Sequence, residues 1–399
     1  MVEAHYAILK TPAVHFEMAN PLANIFGGNV FNFLKKDSSV LGVDIGSSSI
    51  KIVQLRKKNG AAVLETYGEL SLGGYADVEI GRATNLPAEK LVEALNDVIK
   101  ESNVSTKNAG FSIPFSASLI SLIKMPGLDE RQLKNMIPIE ARKYIPVPIT
   151  EVALDWFVLP EEGQRFFSSE DEGEKEKEEQ RGKYKKINVL LVAIHKETLS
   201  KYDQIVRGTG LTNSFFEIEI FSTIRSSIVQ STTPTMIIDM GAATTKLYVV
   251  EYGIIRSSHI INKGSQDITL SLSHMLGISV SKAEETKREI GLGGQAGAQS
   301  MADSTLLVLE YIFSEAKRSV FQYEQNYHRN IGQVLLVGGG ALLKGLTSYA
   351  QKQFETNVSL GLPFAKTQAP AFLEQVLLDT GPSFSVSVGI ALRKLQEMG

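Results

Sequence analysis

A chain of 399 residues with 43% hydrophobic and 21% charged side chains carries enough apolar material for two or three packed domains. A formal net charge of -3 excludes a whole-surface attraction to nucleic acid, and the lack of cysteine excludes disulfides and thiolate metal sites. No stretch reaches the roughly 18 uninterrupted apolar residues of a membrane-spanning helix, and the N-terminus lacks a signal peptide's basic start and apolar core, so a cytoplasmic protein is expected.

Residues 1 to 36 show no sustained hydrophobic period, carry Pro12 and Pro21, and break at Gly27-Gly28, so they read as a poorly ordered leader. Within it, Phe31 to Lys36 sets aromatics beside lysines, which suits a terminal turn or a short amphipathic anchor. From Val40 the pattern sharpens. Strands are expected over Val40 to Ile45, Ile50 to Arg56 and Ala61 to Leu72. A helix is expected over Pro87 to Glu101, with Leu91, Val92, Leu95, Val98 and Ile99 on one face. Phe111 to Ile123 alternates loosely as a strand, and Leu128 to Tyr144 is helical until Pro146 and Pro148 stop it. Glu161 to Lys186, around SSEDEGEKEKEEQ, has almost nothing to bury and reads as a solvated loop. Strand then helix follow over Ile187 to Ile194 and Lys196 to Arg207. Phe216-Glu217-Ile218-Glu219-Ile220 alternates like a half-exposed strand, Ile237 to Glu251 reads as strand-turn-strand, and Asp303 to Tyr327 as a long helix. Ser387 to Gly399 reads as a core helix closing the second half. Strands alternating with helices over this length give an α/β architecture.

One internal repeat carries the functional argument. Asp44-Ile45-Gly46-Ser47-Ser48-Ser49-Ile50-Lys51-Ile52 aligns without gaps to Asp239-Met240-Gly241-Ala242-Ala243-Thr244-Thr245-Lys246-Leu247. Each copy sits between apolar strands, so each is a hairpin with its Asp and Gly at the tip. Glycine allows a turn with positive φ and close approach of a ligand. Successive N–H groups around such a turn make an anion-binding concavity, and small hydroxyls add donors. An Asp at the strand end is placed to hold Mg2+ through its waters. One such hairpin is an ordinary turn; two in register, one per half, imply related halves that clasp one Mg-phosphate. Downstream, Val334 to Val337 runs into Gly338-Gly339-Gly340, with a helix expected near Ala341. That joint either tightens a strand–helix turn or lets backbone approach a flat ring. Neither a dinucleotide fingerprint nor a Walker A sequence is present. His195, His259, His274 and His328 show no ligand spacing, so no zinc is expected.

With these elements in this order the chain resembles the actin, sugar kinase and heat-shock chaperone ATPase superfamily. That resemblance implies an actin-like two-lobed fold of duplicated ribonuclease-H-like domains, with ATP and Mg2+ as cofactors. Asp44 and Asp239 would be the Mg2+-associated carboxylates, and Gly46, Ser47, Ser48, Ser49, Lys51, Gly241, Ala242, Thr244 and Thr245 would line the phosphates. Gly338, Gly339 and Gly340 would meet the adenosine, and Glu284 and Lys287, from an A-E-x-x-K helix, the ribose and adenine. Glu217 or Glu219 would position water, and Glu217 is taken as the catalytic member beside Asp44 and Asp239.

Within the superfamily, FNFLKK, VLGVDIGSSSIKIVQL and above all Ile137-Pro138-Ile139-Glu140-Ala141-Arg142-Lys143-Tyr144-Ile145-Pro146 are similar to the PilM family of pilus assembly proteins. This implies an ATP-binding scaffold with slow or partner-dependent turnover at the cytoplasmic face of the inner membrane. It would dock the cytoplasmic N-terminal tail of PilN between its first subdomain and an FtsA-like insertion, and meet other pilus assembly proteins there. Self-assembly is left open, and nucleic acid is not expected. The implied division is a leader over 1–36, first-lobe core over 37–115, an insertion over 116–190 with a charged loop at 161–186, second-lobe core over 191–260, a helical subdomain over 261–330, and completion of the second lobe over 331–399. An FtsA-like filament protein, a small-molecule kinase of this fold and a scaffold without nucleotide remain as alternatives.

Overall fold

The computed structural model describes residues 39–159, 186–229, 233–292 and 299–398. The expected leader, with its anchor-like segment, and the charged loop up to residue 185 lie outside these residues. The chain divides into two compact units, one containing Pro114–Asp203 and the other the chain on either side of it.

The larger unit is built on two five-stranded sheets. The first joins β1 (Ser39–Ile45), β2 (Ser49–Lys58), β3 (Ala61–Ser71), β4 (Asn108–Ile113) and β8 (Thr212–Ile218) in the order β3-β2-β1-β4-β8. The second joins β9 (Thr235–Met240), β10 (Thr245–Glu251), β11 (Ile254–Ile261), β12 (Gln333–Val337) and β13 (Asn357–Leu360) in the order β11-β10-β9-β12-β13. The directions match as well. The first three strands of each sheet run antiparallel, and the last two lie parallel to the first strand. Two sheets of one topology are the related halves that the internal repeat implied.

Period-two alternation decides which side chains reach the functional face. Along β9, Met236, Ile238 and Met240 join Ile268, Leu272, Leu309, Ile312 and Phe313 in the second core, beneath α5 (Ser265–Leu276) and α7 (Gln299–Tyr327). Asp239 therefore faces the other side of the sheet. In the first half, α1 (Ala88–Glu101) buries Leu91, Leu95 and Val98, as its apolar spacing predicted.

Four expectations are corrected. The strand expected over Phe111 to Ile123 breaks at Pro114, which lacks a ladder N–H, and its halves, β4 and β5 (Ser118–Pro126), fall in different units. The Glu217–Glu219 stretch is not a half-exposed strand: β8 ends at Ile218, α4 (Glu219–Ser227) starts at Glu219, and both glutamates are buried. The triglycine leads into a 3-10 turn, Gly339–Leu342, before α8 (Leu346–Gln353). The C-terminal helix, α10 (Ser385–Glu397), packs Val388, Ala391 and Leu395 against Val40, Val53, Leu55 and Leu64, so it covers the first sheet rather than closing the second half. Its period reveals an apolar face but not which sheet that face meets.

The smaller unit is a three-stranded antiparallel sheet, β5 with β6 (Val152–Leu159) and β7 (Lys186–His195), in the order β5-β7-β6. On it lies α2 (Glu130–Ala141), whose Leu133, Ile137 and Ala141 recur every four residues and pack on Ile123, Met125, Val189 and Leu191. Asp129 and Gln132 form a reciprocal capping box that fixes where α2 begins.

Candidate functional site

Both hairpins close in the same way. Asp44 lies opposite Lys51 in the β1–β2 register, and Asp239 opposite Lys246 in β9–β10. At each tip the glycine N–H donates to the carbonyl three residues on, Gly46 to Ser49 and Gly241 to Thr244, both at 3.0 Å. These glycines are needed for room rather than handedness. Neither has a positive φ, but a Cβ would lie 3.1 Å from the Ser49 oxygen at Gly46 and 2.9 Å from the Thr244 oxygen at Gly241. The expected left-handed turn is corrected accordingly.

The peptide groups that follow carry the chemistry. The Ser47 carbonyl accepts from the Thr84 N–H at 2.7 Å and its hydroxyl at 3.0 Å, and the Ser48 carbonyl from the Leu72 N–H at 2.9 Å. In the second hairpin the carbonyls of Gly241 and Ala242 accept from the Ser265 and Gln266 N–H groups, at 2.9 and 3.0 Å, in the first turn of α5. A trans peptide points its N–H opposite its C=O. The N–H groups of Ser48, Ala242 and Ala243 are therefore turned away from these anchors, and among the described residues they donate to no acceptor. Each half thus presents preformed backbone donors, the arrangement that binds anions.

Carboxylates sit at the roots of the hairpins. Asp44 Oδ1 accepts from Ser112 Oγ at 2.7 Å. Lys246 Nζ donates to Glu219 Oε2 at 2.7 Å and Asp239 Oδ2 at 3.3 Å. Burial raises the pKa of Asp44; Lys51, Ser112 and Lys246 oppose it, and Asp239 adds to it. Burial likewise raises Glu219, against Lys246 and with help from Asp239 and Asp44. The three carboxylates therefore share one field. The triglycine turn lies directly on Asp239. Gly338 has φ +84°, and a Cβ there would stand 2.5 Å from Asp239 Oδ1, whereas one at Gly339 would meet nothing within 4 Å and faces open space.

Other expected site residues are committed elsewhere. Glu217, 1% exposed, is gripped by Arg225 through two bonds of 2.7 Å, by Arg393 at 2.8 Å and by Ser222 at 2.5 Å, so both of its oxygens are bonded within this ion cluster. Glu284 on α6 (Val280–Ile290) accepts from Thr269, Lys287 and Arg288 at 2.6, 2.6 and 2.8 Å, so both of its oxygens are occupied. Lys287 in turn donates to Thr269 and the Ser265 carbonyl. The Thr245 hydroxyl donates backwards to the Lys263 carbonyl, and Lys51 spans Ser49 Oγ and Glu69. Sequence reasoning missed Ser112 and the position of Lys246; the second was visible as the repeat counterpart of Lys51. It also missed a strap from the first half, in which the Ala83 N–H donates to Gln266 Oε1 and Glu79 accepts from the Ser281 N–H, both at 2.9 Å.

The family pattern of the type IV pilus assembly protein PilM matches residues 42–395. This chain belongs to the PilM family. As a PilM-family chain it also resembles curated cell division proteins FtsA. It is 30% identical over 183 residues to that of Helicobacter pylori strain J99, covering 39% of this chain and only 36% of that protein. It is 21% identical over 365 residues to that of Streptococcus pneumoniae strain D39, covering 83% of this chain and 77% of that protein. Among solved structures, the PilM-PilN type IV pilus biogenesis complex aligns with a TM-score of 0.73 and 20% identity, covering 90% of this chain and 99% of that one. The likeness places this PilM-family chain in the actin-like fold. No described helix is long and apolar enough to cross a membrane.

Proposed function

We propose that this chain is an actin-like, ATP-binding scaffold of the type IV pilus assembly machinery, held at the inner membrane through PilN. The observation that carries the nucleotide reading is the pair of hairpins whose anchored carbonyls leave the N–H groups of Ser48, Ala242 and Ala243 without acceptors, each hairpin with an aspartate at its root. Those donors suit the phosphates, and the open space at Gly339 suits the adenosine. Asp44 and Asp239 offer the hard oxygen ligands that magnesium prefers, through its waters. Among the described residues no group of three or more His, Asp or Glu is disposed to hold a metal alone, which fits an ion that arrives on the phosphates. When bound, such an ion neutralises phosphate charge. Glu217 is consumed by arginines and Glu219 by Lys246, so neither is free to orient water, and turnover is expected to be slow. The PilN reading rests on family membership and on the partner present in the aligned complex.

The test is the affinity of the full chain for a fluorescent ATP analogue, with Gly339→Leu as the blocking variant. A Cβ there would meet nothing within 4 Å, so the added side chain starts out into the open space. Wild type should bind, and the variant should lose affinity by about tenfold or more, equivalent to about 1.4 kcal/mol, with unchanged thermal stability. Absence of binding to wild type at millimolar nucleotide would end the nucleotide reading.

A further inference from the structure

Helix α7 has two unlike faces. Leu309, Ile312, Phe313, Ala316 and Tyr323 are buried in the second core. Away from it, Leu307 is 69% exposed, Tyr311 51% and Phe321 62%. Ser314 and Arg318 fall between them, so the successive spacings are 4, 3, 4 and 3 residues. That is the seam of a helix that packs lengthwise on another helix. Single exposed apolar residues are ordinary, but three on one seam mark a contact surface.

We propose that this stripe is a self-association surface, on which α7 of a second copy of this chain lies antiparallel about a two-fold axis at Ser314. The order of side chains along the helix favours that occupant and that direction. In a two-fold contact residue i meets j and j meets i. Turned end over end about Ser314, Leu307 comes opposite Phe321 of the second copy, Tyr311 opposite Arg318, and Glu310 opposite Lys317. Each pairing suits its members: apolar on aromatic, ring beneath guanidinium, acid beside base. A parallel pairing would set Arg318 on Arg318 and Glu310 on Glu310, and like charges oppose it. The polar groups of the seam can also be covered without loss. The Ser314 hydroxyl already donates to the Tyr311 carbonyl at 2.9 Å, and its small side chain lets two helices approach at the axis. Arg318 meets Glu315 on its own helix at 4.0 Å, the outer limit of an ion pair. Lys317 donates to Gln353 on α8 at 2.6 Å, and an ammonium has three donors to share. From Leu307 to Phe321 the seam is about 21 Å long, so the contact is small and its affinity micromolar.

Sedimentation equilibrium of the nucleotide-free full chain across the micromolar range is the test. Wild type should pass from monomer to dimer as concentration rises. Glu310→Lys and Lys317→Glu should each weaken the dimer by about tenfold or more, because each sets like charges at both ends of the contact. Mixed in equal amounts, these two variants should associate like wild type, since every contact then joins opposite charges. Phe321→Glu should stay monomeric with an unchanged circular dichroism spectrum and Tm, as an exposed side chain allows. Should it not fold, Leu307→Glu, at the other end of the seam, takes its place. A wild-type chain that remains monomeric throughout overturns the proposal and leaves the stripe to a different kind of partner. A dimer that a folded Phe321→Glu chain still forms overturns it as well. So do charge variants that associate no better mixed than apart.

Discussion

Replacing Glu217 by alanine separates a structural carboxylate from a chemical one. The side chain is 1% exposed and holds Arg225, itself 13% exposed, in a two-bond fork, and Arg393, which is 3% exposed. Removal leaves the buried Arg393 guanidinium without this partner, and breaking a buried ion pair from one side costs about 3–5 kcal/mol. Arg225 sits on α4 and Arg393 on α10, so the loss also loosens the packing of these two helices. For a unit of this size that corresponds to a fall in Tm on the order of 10 °C. The assay is thermal and urea unfolding followed by circular dichroism, with Glu219→Ala as the comparison, which should cost less because Lys246 keeps Asp239. The pH dependence has a definite sign. Burial pushes Glu217 up, but Arg225 and Arg393 prevail and its pKa is lowered below 4.5. Its stabilisation is therefore complete above that value and is lost as pH falls through the folded pKa, so the gap between wild type and variant narrows in acid. A variant within about 1 kcal/mol of wild type at pH 7 would refute the reasoning and return Glu217 to the list of candidates for positioning water.

Gly338→Ala should lower stability by about 2 kcal/mol or more in urea unfolding, because its φ of +84° is strained for any side chain and the new Cβ would press on Asp239; Gly339→Ala should stay within about 0.5 kcal/mol. Glu284 has its pKa lowered to about 2, with burial opposed chiefly by Lys287. Its contribution is complete above 4.5 and disappears between 4.5 and about 2, so unfolding curves of wild type and Glu284→Gln should converge over that window, and a constant offset would count against the buried network.

The fold was legible because a duplicated motif constrains two halves at once. Asp44-x-Gly and Asp239-x-Gly each lie between apolar strands, and the structure gives both halves one strand order. The limits followed from period and punctuation in α1 and at the end of α7, whereas α7 starts at Gln299, ahead of the expected Asp303. What stayed hidden depends on contacts distant in sequence. Glu217 and Glu219 alternate with apolar residues as a half-exposed strand would, yet both are buried, because Arg393 and Lys246 arrive from elsewhere in the chain and join the nearby Arg225 to compensate them. The destination of the C-terminal helix was hidden for the same reason, since an apolar stripe says nothing about which sheet it will cover. In the site, the repeat located the aspartates and glycines, but the reason for the glycines is a carbonyl three residues away, a distance that a residue pattern does not carry.

The strap at residues 79–83 touches the second half through two bonds of 2.9 Å, one from the Ala83 N–H to Gln266 and one from the Ser281 N–H to Glu79, near the turn of α5 that anchors the second hairpin. Separating the halves breaks both, at about 0.5–1.5 kcal/mol each. An opening penalty of about 1–3 kcal/mol slows escape by roughly 5- to 150-fold at equal intrinsic affinity. Residence time of a ligand in the site would then depend on a loop that lies outside both hairpins, and a change of sequence in that loop would alter how long the ligand stays.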